Sequence, residues 1–387
     1  MKRLLFHRLS VSGRVALEQD RCLLYSCSMP VAFRAILARM QYVNVKQYVQ
    51  AVLSQTPPVL SYQRAGKRTP LAEWQIRVRE RIRQVSGLDD IQAAQRGDPI
   101  ECRDASREVR DGYSLEKHYL RAEPGMEIPF YLLLPESASS TSPVPLVLTP
   151  HGHGRRGKEV YVGNYENDEE REHSESGDRD IALQAVEAGY AVIAPDVRGF
   201  WEMARQEEMA AGKGSSCDEL QRRSLMLGRS LIGERVFDMG RLMDYAATRP
   251  EIDSTRIAIT GNSGGGTVSL FTAALDERIS VAVPGSYFCS FEASILSVHH
   301  CMCNIVPGIA RLVEMSDIAG LIAPRPVLFV NGIEDRIFPF AATQNAFSEL
   351  QRVYRDAGVP DRCRLYAGDG GHRYYKDEVW SFLAEFL

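Results

Sequence analysis

The sequence lacks any apolar run that approaches the roughly 18 residues needed to span a membrane, so we expect no membrane partner. It also lacks a basic excess, because 46 lysines and arginines stand against 50 acidic residues, for a formal net charge of −4 at pH 7. Proteins that bind nucleic acid carry a basic surface, and we expect no nucleic-acid partner here. The hydrophobic content of 44% and charged content of 25% instead indicate a globular protein with a large core.

The eight cysteines lack the regular spacing of a disulfide framework. We therefore expect reduced, packed thiols and a cytoplasmic location. The chain begins like a secretory signal, but Arg8 and Arg14 interrupt the apolar core that a signal requires. We expect this segment to stay uncleaved, with Met29 as an alternative start.

Ser263 lies in the motif Gly-Asn-Ser-Gly-Gly, after a β-branched run at 256–260 and before a helix-like stretch at 267–275. A strand, a glycine-flanked turn and a helix with serine at the apex form the nucleophile-elbow pattern. The serine is held there in a strained backbone, and larger flanking side chains would collide with the neighbouring strand and helix. Ser263 is the candidate nucleophile, and the alternative is an ordinary strand-to-helix turn.

An acid and a histidine follow in the chain order that this elbow requires, each after a short apolar run that indicates a strand. They are Asp335 and His372. A serine attacks a carbonyl only if a base takes its proton, an imidazole can take and return that proton, and a carboxylate fixes the tautomer of the ring. We predict that Ser263, His372 and Asp335 form a catalytic triad, with Glu334 and Asp369 as rival acids.

Charge on the tetrahedral intermediate needs backbone donors, which form an oxyanion hole. The amide of Gly264 follows the nucleophile directly. The second donor is predicted to be the amide of His153, in the glycine-rich loop 151–154 that follows the strand 145–150. His151 and His153 could instead hold a metal, but no carboxylate or cysteine lies at ligand spacing beside them.

A second cluster, His299, His300, Cys301 and Cys303, also offers metal-binding side chains. Consecutive residues cannot all converge on one ion without severe backbone contortion, and zinc sites prefer two or more intervening residues. We expect no metal at either cluster and no cofactor.

Several residues near the predicted catalytic end are candidates for the substrate pocket, with ordinary packing as the alternative role. A tryptophan among them could stack on a sugar ring. The candidates are His151, Trp201, Tyr287, Phe288 and His300.

In this order the motifs resemble those of the α/β-hydrolase superfamily, and most closely the dienelactone-hydrolase-like and acetyl-xylan-esterase-like proteins of bacteria. The resemblance covers roughly residues 115 to 387. It implies hydrolysis of a carboxylic ester through an acyl-enzyme, without a cofactor and often on esterified carbohydrate. Relatives often have a second glycine where Trp201 stands. The motifs lie at 151–154, 194–200, 231–238, 249–253, 261–265 and 331–335.

Strands and helices alternate along most of the chain, which predicts an α/β protein with a doubly wound, mostly parallel sheet of the α/β-hydrolase type. We assign residues 115–387 to the catalytic domain and 1–114 to a mainly helical extension that packs on its core. Insertions are expected near 155–180, 201–227 and 285–320. The first is dense in charge, which is typical of a solvated loop, and it could border the substrate entrance.

Three functions remain open. The first is a serine hydrolase of short acyl (acetyl-type) or carbohydrate esters. The second is a peptidase of the prolyl-oligopeptidase type, although roughly a hundred N-terminal residues cannot build its propeller. The third is a non-catalytic binding module, which would not need all three triad groups. We favour the esterase, with a small-molecule or carbohydrate ester as its substrate.

Overall fold

The structure is a computed structural model that describes residues 45–65 and 69–387. The predictions on the signal-like segment and on Met29 fall outside these residues. The chain divides into two compact units, Met1–Gln55 and Thr56–Leu387. Of the first unit, the structure describes helix α1 (Val45–Gln55). The second unit contains the sheet.

The second unit opens with three helices, α2 (Tyr62–Ala65), α3 (Leu71–Ser86) and α4 (Leu88–Ala94). The nine strands are β1 (Cys102–Arg110), β2 (Tyr113–Glu123), β3 (Met126–Pro135), β4 (Val144–Leu148), β5 (Ala191–Pro195), β6 (Ile252–Asn262), β7 (Ile279–Gly285), β8 (Val327–Gly332) and β9 (Cys363–Gly368). The later helices are α5 (Lys158–Tyr161), α6 (Asp168–Glu175), α7 (Ile181–Glu187), α8 (Gln206–Ala210), α9 (Cys217–Met226), α10 (Leu231–Ala246), α11 (Gly264–Leu275), α12 (Ile309–Leu312), α13 (Met315–Gly320), α14 (Phe340–Asp356) and α15 (Val379–Phe386). Within the described part of the chain, no helix has both the length and the apolar character needed to cross a bilayer.

The strands form one sheet in the order β1-β2-β3-β5-β4-β6-β7-β8-β9. The pairs from β1 to β5 are antiparallel, and the pairs from β5 to β9 are parallel. The predicted doubly wound, mostly parallel sheet is confirmed. From β4 the chain moves outward to β5 and returns to β6 on the other side of β4. The loops that leave β4 and β6 diverge at this switch point, which is where open α/β sheets bind their ligands.

Helices cover both faces of the sheet, because strands that are apolar on both faces must be buried on both. Strand β4 shows this directly. Val147 packs in one apolar cluster with residues of α7 and α15, whereas Leu146 and Leu148 pack in a larger cluster with residues of α3, α10 and α11. The central strands, on which the site described below stands, are therefore covered on both faces.

Helix α3 packs against the larger cluster through one apolar face. Trp74, Val78 and Ile82 recur every fourth residue and are fully buried. The indole nitrogen of Trp74 donates a hydrogen bond to the carbonyl oxygen of Leu60 at 2.8 Å, so its polar atom is also satisfied.

The edge strand β1 is missing from the sequence-based expectation, which starts the sheet at residue 115. Seven of its nine residues are exposed, so it shows no alternation of apolar and polar positions. Charged side chains on an edge strand prevent pairing with other chains. They also remove the alternating apolar pattern by which a strand is recognised in a sequence. The expected boundary at 114/115 consequently falls inside β2. Strands β2 and β3 form an antiparallel hairpin.

We expect Trp74→Ala to lower the free energy of unfolding by about 3–5 kcal/mol, because it removes a large buried side chain and leaves a cavity. Ile76→Ala is the matched control on the same helix, since Ile76 is 56% exposed; its effect should stay within about 0.5 kcal/mol. Urea unfolding followed by circular dichroism would measure both. Equal losses for the two variants would contradict the packing described for α3.

Candidate active site

Ser263 occupies the turn between β6 and α11, with φ 55° and ψ −113°. A non-glycine residue with positive φ is strained, and such strain persists only where the surrounding structure enforces it. The strained turn that the motif predicts is therefore present. Ser263 also lines a cavity of about 540 Å³ at the carboxyl ends of the strands.

The glycines around Ser263 allow backbone segments to approach one another. A Cβ atom on Gly261 or Gly265 would lie 2.2 or 2.1 Å from the carbonyl oxygen of Pro150. A Cβ atom on Gly264 would lie 2.8 Å from Nδ1 of His153. No side chain fits at these positions, which is the steric reason for the glycine-rich motif.

Asp335 and His372 are hydrogen-bonded to each other. His372 Nδ1 lies 2.8 Å from Oδ2 of Asp335. The other carboxylate oxygen accepts the amides of Ile337 and Phe338 at 2.8 and 3.0 Å. Asp335 is 4% exposed, so the backbone and the imidazole provide the partners that a buried carboxylate needs.

The rival acids do not occupy this position. Glu334 and Asp369 are both exposed, whereas Asp335 is buried against the imidazole. Of the three carboxylates, the structure thus brings Asp335 to His372.

His372 and Ser263 line the same cavity. In the part of the chain that the structure describes, their side chains make no direct hydrogen bond. Catalytic hydrogen bonds of this kind are often long without substrate and tighten when it binds. The ring of Phe338 stacks on His372 at a centroid distance of 5.9 Å and helps to orient it.

Three of the five predicted pocket residues line the cavity, namely His151, Tyr287 and His300. Phe288 and Trp201 are not among the residues that line it. Phe288 is fully buried and stacks on Phe329, with ring centroids 3.9 Å apart. The indole of Trp201 donates to Oε1 of Glu159 at 3.3 Å outside the cavity lining. A residue that follows a strand end in the sequence can point either into the cavity or into the protein interior. Phe288 and Trp201 have the ordinary packing role that was the alternative to a place in the pocket.

His151 has a structural role in the cavity wall. The amide of Val197 donates to its Nε2 at 3.1 Å, so Nε2 is the acceptor nitrogen. Its Nδ1 therefore carries the proton and donates to the carbonyl oxygen of Gly152 at 2.7 Å. Both ring nitrogens are occupied, and the imidazole holds the start of the loop 151–154.

The two predicted oxyanion amides belong to segments that lie side by side. Gly264 is the first residue of α11, and no side chain caps this helix end. Free amides at a helix N-terminus favour negative charge. The loop carrying His153 packs directly on the elbow, because a Cβ on Gly152 would lie 2.6 Å from the carbonyl oxygen of Asn262.

One imidazole of the cavity wall is shifted toward the neutral form. Burial lowers the pKa of His300 to about 4, so this imidazole adds little positive charge to the cavity near neutral pH.

The segment 155–180 lines the cavity with residues that sequence reasoning missed. It folds into α5 and α6, and Arg156 pairs with Glu170 at 2.5 Å. Tyr161 accepts the amide of Asn262 at 3.2 Å and braces the elbow from this side. The high density of charged residues in 155–180 indicated in the sequence that this segment could border the substrate entrance. No periodic pattern in the sequence indicated that Tyr161 would contact the elbow.

A model described as the Abhydrolase family matches residues 34–368. The chain is 28% identical to "Putative hydrolase YtaP" of Bacillus subtilis (strain 168) over 298 residues, which are 75% of this chain and 93% of that protein.

The fold is similar to that of a "putative acetyl xylan esterase" from Bacteroides fragilis NCTC 9343, with a TM-score of 0.69, 22% identity, and coverage of 85% of this chain and 82% of that chain. It is also similar to a glucuronoyl esterase from Solibacter usitatus, with a TM-score of 0.61, 15% identity, and coverage of 85% and 96%. These similarities confirm the predicted α/β-hydrolase fold and the resemblance to proteins named as acetyl xylan esterases.

Because the Pro150 carbonyl oxygen lies so close to the elbow, adding a single methyl group at Gly265 should destabilise the protein. Gly265→Ala should lower the free energy of unfolding by about 1–3 kcal/mol or more, because its Cβ would overlap the Pro150 oxygen and the backbone would have to shift. Gly154→Ala is the control, since its Cβ would meet nothing within 4 Å. Chemical denaturation of both variants would test this. A Gly265→Ala protein as stable as the wild type would show that the elbow is not packed as described.

Proposed function

The chain belongs to the Abhydrolase family, and on that premise we propose that it is a serine hydrolase that cleaves carboxylic esters through an acyl-enzyme. One observation carries the proposal. The hydrogen-bonded pair of His372 and Asp335 faces the same cavity as Ser263, which lies at a strained strand-to-helix turn. This is the set of groups that nucleophilic acyl transfer requires.

In the proposed first half-reaction, Oγ of Ser263 attacks the ester carbonyl while Nε2 of His372 takes the hydroxyl proton. Nε2 has the free lone pair because Nδ1 donates its proton to Asp335. The tetrahedral intermediate then breaks its bond to the alkoxy oxygen, which leaves as the alcohol with the proton from Nε2. In the second half-reaction, water repeats these steps on the acyl-enzyme, releases the carboxylic acid and restores the serine.

The amides of Gly264 and His153 are proposed to stabilise the oxyanion. Both belong to backbone that is fixed by close contacts without substrate, so the donors need no reorganisation when charge develops. Such a donor is typically worth about a hundredfold to a thousandfold in rate.

The size and the lining of the cavity support a substrate that is an ester of a short acyl group and a sugar-sized alcohol. Its volume of about 540 Å³ is in the range of small-molecule sites and would accommodate an acyl group together with a sugar-sized alcohol. Arg155, Arg156 and Arg179 line it together with several histidines, and these groups donate hydrogen bonds to hydroxyl and carbonyl oxygens. The names of the similar structures, acetyl xylan esterase and glucuronoyl esterase, agree with this choice.

Removal of the triad groups should abolish hydrolysis of 4-nitrophenyl acetate. We expect Ser263→Ala to lower kcat by about 10⁴–10⁶-fold and Asp335→Asn by about 10⁴-fold, because the second change leaves the nucleophile but fixes the wrong tautomer of His372. Glu334→Gln is the matched control, since it alters the exposed neighbour of Asp335; its kcat should stay within about twofold. Wild-type rates in Ser263→Ala would contradict the proposed nucleophile.

A panel of substrates would separate the proposed chemistry from peptide hydrolysis. We expect short-chain nitrophenyl esters, acetylated xylan or methyl uronates to be cleaved with higher kcat/KM than any peptide anilide, because the cavity is small and rich in hydrogen-bond donors. Ser263→Ala measured in parallel shows whether each activity belongs to this site. Faster turnover of peptide anilides would favour a peptidase, and binding without turnover of any substrate would favour a non-catalytic module.

A further inference from the structure

His153 from the loop after β4 and two cysteines from the excursion after β7 meet at the cavity wall. One ligand atom from each of His153, Cys301 and Cys303 lies within 4.8 Å of the other two. Nε2 of His153 is 3.3 Å from Sγ of Cys303. We call these three residues the His–Cys cluster. It is separate from Ser263, Asp335 and His372, and the proposed ester hydrolysis does not use its side chains.

The spacing of these atoms suits a metal ion. Zinc bonds of 2.3 Å to sulfur and 2.0–2.1 Å to nitrogen place tetrahedral ligand atoms about 3.5–3.8 Å apart. The separations observed, 3.3 Å from Nε2 of His153 to Sγ of Cys303 and no more than 4.8 Å for the other pairs, are close to these values. We propose that the His–Cys cluster binds a zinc ion through Nε2 of His153 and the sulfurs of Cys301 and Cys303.

Three protein ligands are available to the ion. Sγ of the buried Cys217, at the start of α9, is not among the converging ligand atoms. Two thiolates and one imidazole leave the fourth tetrahedral position to a water molecule or another small ligand.

The charge of Arg235 fits this assignment. The side chain is 1% exposed, and one guanidinium nitrogen lies 3.3 Å from Sγ of Cys217. Within residues 45–65 and 69–387, Arg235 forms no ion pair with a carboxylate, and its Nε has no hydrogen-bond partner. A buried cation without an anion is costly. Zinc binding requires Cys301 and Cys303 as thiolates, and the negative charge of the Cys303 sulfur acts on this guanidinium.

The expectation of no metal was based on residues that are adjacent in sequence. His151 bonds to the backbone and His300 bonds to Ser294, so neither local cluster converges on an ion by itself. The proposed site takes one residue from the first cluster and two from the second. Folding brings them together across 150 positions of the chain.

The proposed ion would position the loop 151–154. The imidazole of His153 is a ligand, and the amide of the same residue is the proposed second oxyanion donor. This consequence for rate rests on the proposed function, whereas the metal site itself does not. The ion is expected to act through the loop and not on the substrate.

Metal content of the full, untagged chain tests the proposal. After incubation with Zn²⁺ and gel filtration, elemental analysis should give about one zinc per chain. Cys303→Ser and Cys301→Ser should lose most of it, and Cys363→Ser, a buried cysteine on β9 outside the cluster, should retain it. The half-buried Cys301 provides the milder change should Cys303→Ser fail to fold. Replacement by Co²⁺ should give a thiolate-to-cobalt charge-transfer absorption that the two cluster variants lack.

Absence of stoichiometric zinc in the wild type, or equal zinc in Cys363→Ser and both cluster variants, would overturn the site. A disulfide between Cys301 and Cys303 in the freshly purified protein, detected by peptide mapping, would also overturn it. Ser263→Ala should keep the zinc, so a failure of ester hydrolysis is distinguished from a failure of metal binding. Zinc removal by a chelator should lower kcat on 4-nitrophenyl acetate more than it changes KM, and an unchanged kcat would overturn the positioning role.

Discussion

The close approach of the Pro150 carbonyl to the glycines on either side of Ser263 is the constraint on which the site depends. This oxygen leaves no space for a Cβ at Gly261 or Gly265. The contact locks the end of β4 against the turn between β6 and α11, at the switch point of the sheet. The positive φ of Ser263 is tolerated because these fixed backbones surround it.

Two of the motifs that carry the family resemblance build a buried ion-pair network beneath the site. Arg198, which follows β5, makes two hydrogen bonds to Asp238 of α10 at 2.7 and 2.8 Å. It also pairs with Glu123 of β2 at 2.8 Å. Loss of one partner from such a buried pair typically costs about 3–5 kcal/mol. Because the amide of the adjacent Val197 holds His151, the network also fixes the cavity wall.

The sequence allowed the elbow, the acid and the histidine to be predicted because each depends on local chemistry in a fixed chain order. Asp335 was preferred over Glu334 and Asp369 from the sequence, and its burial against His372, which depends on the folded loops, distinguishes it from these two exposed acids. Trp201 and Phe288 do not line the cavity, and the sequence could not indicate this because the direction of a side chain in an irregular loop depends on its packing partners. The His–Cys cluster was missed for a related reason, since its halves are far apart in the chain and neither is a ligand set alone.

The loop 151–154 is held at two points by different chemistry, and this bears directly on the proposed mechanism. His151 is fixed by the amide of Val197, and the side chain of His153 contacts Cys303 and packs over Gly264. The amide proposed as an oxyanion donor lies between these two attachments. A donor that could turn away would lose rate, because its reorientation would add to the barrier. Polar contacts with defined directions hold a peptide group in one orientation better than apolar packing does, which gives a physical reason for two histidines in so short a loop.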